Sequence, residues 1–119
     1  MRFRPESDQS MTVKEISDKL KLDVISCPSP DREVTNVYIG DLLSWVMGRA
    51  PADSAWITIM SNINICAVAS LADTSCVILA EGVEPDPPTA EAAKDKGINL
   101  FRSEKTSYRL AAELSALGL

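Results

Sequence analysis

Two uninterrupted apolar runs lie in the middle of the chain, separated by about one helix length. They are residues 56–60 (WITIM) and 76–80 (CVILA), both rich in β-branched residues. This composition is typical of strands that are covered on both faces in a parallel sheet. Between them, Asn62 is the predicted N-cap of a helix over residues 63–71 that is apolar nearly all round. The pattern predicts a βαβ unit whose strand-end turns share one edge of the sheet.

The flanking segments continue the alternation of strand and helix. Short strands are predicted at residues 22–25, 33–38 and 98–101. Further helices are predicted to begin at a capping box formed by Thr12 and Glu15, after the proline-rich loop at 85–88, and at Ser103. This order predicts a three-layer α/β fold with a mostly parallel sheet of four or five strands flanked by helices.

A further helix is predicted over residues 39–50, because apolar residues recur there with a period close to 3.6. Trp45 lies about 130° from the centre of this apolar stripe, on the side of Asp41. An exposed tryptophan favours a contact surface, since aromatic residues are enriched in interface cores, and Trp45 and Asp41 are therefore candidate interface residues. The alternative is that another part of the chain, such as the N-terminal helix, covers Trp45.

Length and charge restrict the class of protein. The 119 residues fit one domain, predicted over residues 11–119, and the polar residues 1–10 are expected to be a disordered leader or a cloning remnant. The net charge of −5, without a long basic run, argues against binding to nucleic acid. No apolar run approaches the ~20 residues of a membrane span, so no membrane partner is expected.

The residues needed for common catalytic chemistry are missing. Three cysteines without CxxC spacing and no histidine exclude or disfavour zinc sites and Cys-His or Ser-His catalysis, and suit a reducing, cytoplasmic location. The five glycines are too sparse for a phosphate-binding loop. The aspartates have no metal-loop spacing. We therefore predict no catalytic residue, no metal and no cofactor, and not an enzyme.

Candidate ligand-binding residues follow the predicted strands at their carboxyl ends. They are Ser61, Asn62, Asn64, Gly82, Arg102 and Lys105. Helix N-termini at this edge favour anions, and a bound phosphate or carboxylate would compensate for cations placed near the start of the last helix. The alternative is structural. The serine and asparagines would then cap a helix, and Arg102, Lys105 and Arg109 would be solvated or paired with Glu104, Asp95 or Glu113.

Residues from about 37 to 114 resemble the DRTGG domain, an α/β module related in fold to the N-terminal domain of HPr kinase/phosphorylase. The matching pieces are Tyr38-Ile39-Gly40-Asp41-Leu42-Leu43, Trp56-Ile57-Thr58-Ile59, Ala80-Glu81-Gly82 with Glu84-Pro85-Asp86, and then Ala93, Gly97-Ile98, Leu100 and Thr106. The chain departs from the family motif where Ser61-Asn62 stands in place of the Asp-Arg pair and Ala80-Glu81-Gly82 in place of the Thr-Gly-Gly turn.

The resemblance implies a non-catalytic regulatory or dimerising module. Such domains occur as accessory parts of phosphotransacetylases and of pyrophosphatases that carry nucleotide-sensing domains. A homodimer that controls a partner protein is the function implied first. The alternative is a sensor that binds a nucleotide or phosphorylated metabolite at the carboxyl ends of the strands. Although the chain is similar to sequences described as HPr serine kinase-like, it has no P-loop, and kinase activity is not expected.

Overall fold

The central apolar segments are strands whose residues are all buried, and this determines what packs around them. The computed structural model describes residues 11–119. Along the chain the strands are β1 (Met11–Thr12), β2 (Asp23–Ser26), β3 (Glu33–Val34), β4 (Asn36–Ile39), β5 (Ser54–Thr58), β6 (Cys76–Leu79) and β7 (Leu100–Arg102). The helices are α1 (Val13–Leu20), α2 (Leu43–Arg49), α3 (Asn64–Ala72), α4 (Pro87–Asp95) and α5 (Ser107–Ala116).

Five strands form one sheet in the order β2-β7-β6-β5-β4, and β1 pairs with β3 in a separate two-stranded sheet. Strands β4 to β7 are parallel, while β2 lies antiparallel to β7. Ala55 of β5 is in register with Cys76 of β6, so the predicted parallel pair is confirmed. The predicted three-layer fold with a mostly parallel sheet is confirmed as well.

Side chains of alternate strand residues point to opposite faces of the sheet and build two apolar cores. Ile57, Ile78 and Phe101 lie on the face covered by α1 and α5. Trp56 and Val77 lie on the opposite face, covered by α2, α3 and α4. Both faces of the central strands are therefore excluded from water, which explains their continuous apolar sequence.

Side-chain caps begin only some of the helices. Thr12 and Glu15 form the predicted capping box at the start of α1. The prediction that Asn62 is the N-cap of α3 is wrong, because Ile63 is the N-cap, without a side-chain cap bond; Asn62 instead accepts a hydrogen bond from the Asn64 amide at 2.9 Å. The prediction that Ser103 caps the last helix is wrong. Thr106 is the N-cap of α5, and Ser103 instead accepts a hydrogen bond from the Lys105 amide.

Several predicted boundaries are also wrong. The strand predicted over residues 56–60 is β5, Ser54–Thr58, which leaves Ile59 exposed beyond its end. Two others lie at β4. Residues 33–38 are two strands, because β3 pairs with β1 whereas β4 pairs with β5. The helix predicted from residue 39 begins only at Leu43, because Ile39 is the last residue of β4 and lies opposite Ile57. Tertiary pairing overrides the helical spacing of the apolar residues here.

Trp45 is 51% exposed. Helix α1 lies on the opposite face of the sheet from α2, so the N-terminal helix does not cover this side chain. No helix within residues 11–119 is long and apolar enough to cross a membrane. The expectation for residues 1–10 lies outside the described residues.

Trp56 is the largest side chain in the core, and its indole N–H donates a hydrogen bond to the Gly40 carbonyl at 2.8 Å. We expect Trp56→Phe to lower the free energy of unfolding by about 2 kcal/mol, because it leaves a cavity and removes the donor to Gly40. Urea denaturation of the purified chain measures this. Tyr108→Phe is the matched control, because Tyr108 is 82% exposed and should change stability by less than about 0.5 kcal/mol. Equal losses of unfolding free energy in the two variants would contradict this role of Trp56 in the core.

Candidate functional site

The topology places one crevice at the carboxyl edge of the sheet. The connections that follow β4, β5 and β6 lead to α2, α3 and α4 on one face, whereas the connection after β7 leads to α5 on the other face. Ligands of open α/β sheets bind where neighbouring connections diverge in this way. In this fold that position lies between the ends of β6 and β7.

Gly82 lies in this crevice, and its backbone conformation favours a glycine there. Glu81 and Gly82 have φ angles of 62° and 75°, and the Gly82 amide donates to the Ser103 carbonyl at 2.8 Å. A Cβ added to Gly82 would lie 2.9 Å from Oε1 of Glu104. The exposed Glu104 side chain could move away from a Cβ, so the positive φ and the hydrogen bond to Ser103 are what hold the loop after β6 against the end of β7.

Arg102 fills the crevice from the β7 side. Its side chain is 12% exposed, and its guanidinium donates to the Gly82 carbonyl at 3.0 Å. The same group forms ion pairs with Asp23 at 2.7 Å, Glu84 at 3.2 Å and Glu104 at 2.9 Å. The hydrogen bond to Glu104 is the main cause that raises the pKa of Arg102 above its usual value. With three carboxylates around one cation, the crevice carries net negative charge and is unfavourable for an anion.

Lys105 is also occupied by groups of the chain itself. Its ammonium group donates to Glu113 at 2.7 Å and to the Leu20 carbonyl at 3.1 Å, which joins α5 to the end of α1. The alternative that the cations pair with carboxylates of the chain therefore holds for two pairs, Arg102 with Glu104 and Lys105 with Glu113. Arg109 lies 4.0 Å from Glu113 and is largely exposed.

The predicted site residues form two groups on the carboxyl edge. Gly82, Arg102 and Lys105 lie at the crevice, whereas Ser61 and Asn62 lie in the connection between β5 and α3 and Asn64 is the first residue of α3. In the second group the Ser61 hydroxyl donates to Asp86 at 3.2 Å, and the Ser61 carbonyl accepts from Thr89 at 2.7 Å. These bonds join the β5–α3 connection to the start of α4. A ligand-binding role for either group remains a prediction.

A shallow pocket of about 350 Å³ lies beside the crevice, at the start of α5. Its lining residues are Glu104, Lys105, Thr106, Tyr108 and Arg109. Only Lys105 was among the predicted site residues. Tyr108 could not be predicted as a site residue from the sequence, because a single tyrosine in the first turn of a helix is common on surfaces that bind nothing.

The cysteines are not activated nucleophiles. Burial raises the pKa of Cys27 and Cys66, and it raises the pKa of Cys76 to about 12. A reactive cysteine requires the opposite shift, since the thiolate is the nucleophile. Within residues 11–119 no group of three or more Cys, Asp or Glu residues is placed to hold a metal ion.

The second surface feature is a group of half-exposed apolar side chains around the ends of β4 and β5. We define the carboxyl-edge patch as Ile39, Leu42, Trp45, Ile59 and Ile63. Only Trp45 among them is predictable from the sequence as an exposed residue, because the others belong to a stripe, strand or helix predicted to be buried. The Arg49 guanidinium carbon lies 3.6 Å from the centroid of the Trp45 ring, a cation–π contact.

Asp41 lies at the centre of this region but is engaged within the chain. Its carboxylate accepts hydrogen bonds from the Thr58 hydroxyl at 2.8 Å and the Ile59 amide at 3.0 Å. It therefore fixes the connection after β4 against the end of β5. These hydrogen bonds within the chain are enough to account for an aspartate at position 41. An interface role for Asp41 remains a prediction.

Comparison with known proteins identifies the fold. Residues 63–117, just under half of the chain, match the family model of the HPr serine kinase N terminus. Among solved structures, the chain is similar to the CBS and DRTGG domains of the regulatory region of Clostridium perfringens pyrophosphatase, in complex with its activator diadenosine tetraphosphate. No curated protein gave a significant match.

The structural similarity has a TM-score of 0.74 at 15% sequence identity. It covers 94% of this chain and 48% of the other, so the chain spans about half the length of that regulatory region. At this identity the similarity shows the fold. The resemblance to DRTGG and HPr kinase N-terminal domains is confirmed.

Arg102 should control the mobility of the loop after β6. We expect Arg102→Gln to increase amide hydrogen exchange at Glu81 and Gly82 by roughly tenfold or more, because the loop loses its guanidinium contacts and opens locally. Hydrogen exchange read by NMR measures this. Arg109→Gln is the matched control, since it removes an exposed arginine with only a 4.0 Å contact. Unchanged exchange in Arg102→Gln would show that the backbone alone holds the loop.

Proposed function

We propose that this chain is a non-catalytic regulatory module of the DRTGG type that self-associates through the carboxyl-edge patch and thereby controls a partner protein. The observation that carries this proposal is the exposed Trp45 with Arg49 stacked on it. Tryptophan and arginine are the residues most enriched among binding hot spots. Stacking also restricts the rotamers of both side chains before any partner binds, which lowers the entropic cost of association.

The surroundings of Trp45 support an interface. Leu42 lies one turn before Trp45, and its carbonyl accepts the Trp45 amide at 2.9 Å. Ile59 lies close to Leu42, because Asp41 binds the Ile59 amide. An apolar group of this kind at one edge of a domain is typical of a surface that meets another protein.

The interior of the chain supports a role without catalysis. The crevice where α/β sheets bind ligands is filled by Arg102 and its carboxylate partners. The thiols have raised pKa values, and the chain has no histidine. Regulation through association requires none of these groups. A cytoplasmic location fits the three free thiols.

Trp45→Ala should weaken self-association. We expect the wild-type chain to be a dimer at ~100 μM and the dimer dissociation constant of Trp45→Ala to rise by about thirtyfold or more, the effect of losing one hot spot. Sedimentation equilibrium over a concentration series measures both. Leu71→Ala is the matched control, because Leu71 is 74% exposed on α3 and lies outside the patch. A wild-type monomer at ~100 μM, or equal effects of the two changes, would reject the proposal.

A second function is favoured by the pocket at the start of α5. There Tyr108 and Arg109 are exposed beside the crevice, and an aromatic ring next to a guanidinium suits a nucleobase with its phosphate. The pyrophosphatase regulatory region of the same fold was crystallised with a dinucleotide activator. On this alternative the chain is a sensor of nucleotides or phosphorylated metabolites. Because Arg102 and Lys105 are paired internally, Arg109 would be the main cation for the ligand.

Thermal unfolding with a panel of nucleotides and phosphorylated metabolites tests the sensor. A ligand at one hundred times its Kd should add about 2.7 kcal/mol to the free energy of unfolding. We expect Arg109→Gln to abolish that shift and Lys96→Gln, a lysine at the end of α4, to preserve it. The absence of a shift at millimolar ligand would reject the sensor and leave the association module.

A further inference from the structure

The two edges of the five-stranded sheet differ in how they are protected. β2 at one edge has β7 as its only strand neighbour, and β4 at the other edge has only β5. The ladder of β2 is interrupted by a register shift between Val24 and Ser26, and Asp23 brings a charge to this edge. Bulges and charges are the usual devices that prevent an edge strand from pairing with another chain.

β4 has neither device. Its four residues, Asn36–Ile39, include no charge and no proline, and their register with β5 is uninterrupted from Asn36 to Ile39. Among the residues that the structure describes, no strand lies on its outer side. An unprotected edge of this kind is a template for a further strand.

The carboxyl-edge patch continues directly from the end of β4. Ile39 belongs to both β4 and the patch, and Leu42 and Trp45 follow it within the next six residues. From the fractional exposure of the five patch residues, the patch offers on the order of 500 Å² of accessible surface, against ~800 Å² per partner for a standard interface. Residues of the β4 edge supply contact area in addition to the patch. The patch alone is smaller than a standard interface, so the β4 edge has to supply the rest of the contact area.

We propose that two copies of this chain pair through their β4 strands, antiparallel and about a two-fold axis, to form a continuous ten-stranded sheet in which each patch lies beside the start of the partner's β4. This inference rests on the self-association in the proposed function and specifies its geometry. A second copy suits the edge because an isologous contact is self-complementary. The net charge of −5 makes two copies repel each other, and that repulsion is weakest where an uncharged strand meets itself.

A lysine placed on each edge in turn tests the geometry. Ile39 and Val24 are both about half exposed, at 49% and 59%, and lie on β4 and β2 respectively. We expect Ile39→Lys to raise the dimer dissociation constant at least tenfold, because a lysine on an edge strand opposes its pairing with another chain. Val24→Lys should leave it within about twofold. Sedimentation equilibrium measures both constants, and far-UV circular dichroism verifies that each variant is folded.

Chemical cross-linking supplies a second measurement that does not depend on a destabilising charge. In a Cys27→Ser background, Asn36→Cys should give a covalent dimer with a short bis-maleimide, whereas Leu71→Cys on α3 should not. A wild-type dimer that is resistant to Ile39→Lys and gives no cross-link at residue 36 would overturn the β4 pairing but leave self-association standing. Dissociation by Val24→Lys would move the interface to β2. A wild-type monomer would reject both the pairing and the association.

Discussion

The parallel pairing of β5 with β6, in which every strand residue is buried, is the constraint on which the rest of the structure depends. Two buried faces require helices on both sides, which produces the three layers. Parallel strands also require crossover helices, and these place the connections after β4, β5 and β6 at one edge of the sheet. All candidate functional residues lie at or near this edge because of that requirement.

The charged side chains at this edge pair mainly with one another. Helix N-termini at this edge favour negative charge. Here that negative charge comes from carboxylates of the same chain, which form ion pairs with the cations. Asp23, Glu84 and Glu104 surround Arg102, and Glu113 holds Lys105. The cations therefore join β2, β7, α1 and α5 to the loop after β6. Their position near the start of α5 is explained by these contacts within the chain.

The fold could be predicted from the sequence where burial is complete, and it could not where burial is partial. Continuous apolar runs identified β5 and β6, and a capping box identified the start of α1. The start of α2 was predicted four residues too early, because Ile39 fits both a helical stripe and an edge strand. The partners of Arg102 were only partly predictable, since Asp23 is 79 residues away along the chain and meets it only through the antiparallel pairing of β2 with β7.

The site where this fold usually accepts a ligand and the surface that it leaves open lie at different strands. Arg102 closes the crevice at β7, whereas the unprotected strand is β4, three strand spacings or about 14 Å away across the sheet. Because the side chains at the crevice are already paired, a ligand there must displace ion pairs before it gains any of its own. A second protein at β4 and the carboxyl-edge patch displaces only water. The proposed association therefore breaks fewer contacts within the chain than ligand binding at the crevice would, and it removes exposed apolar surface from water.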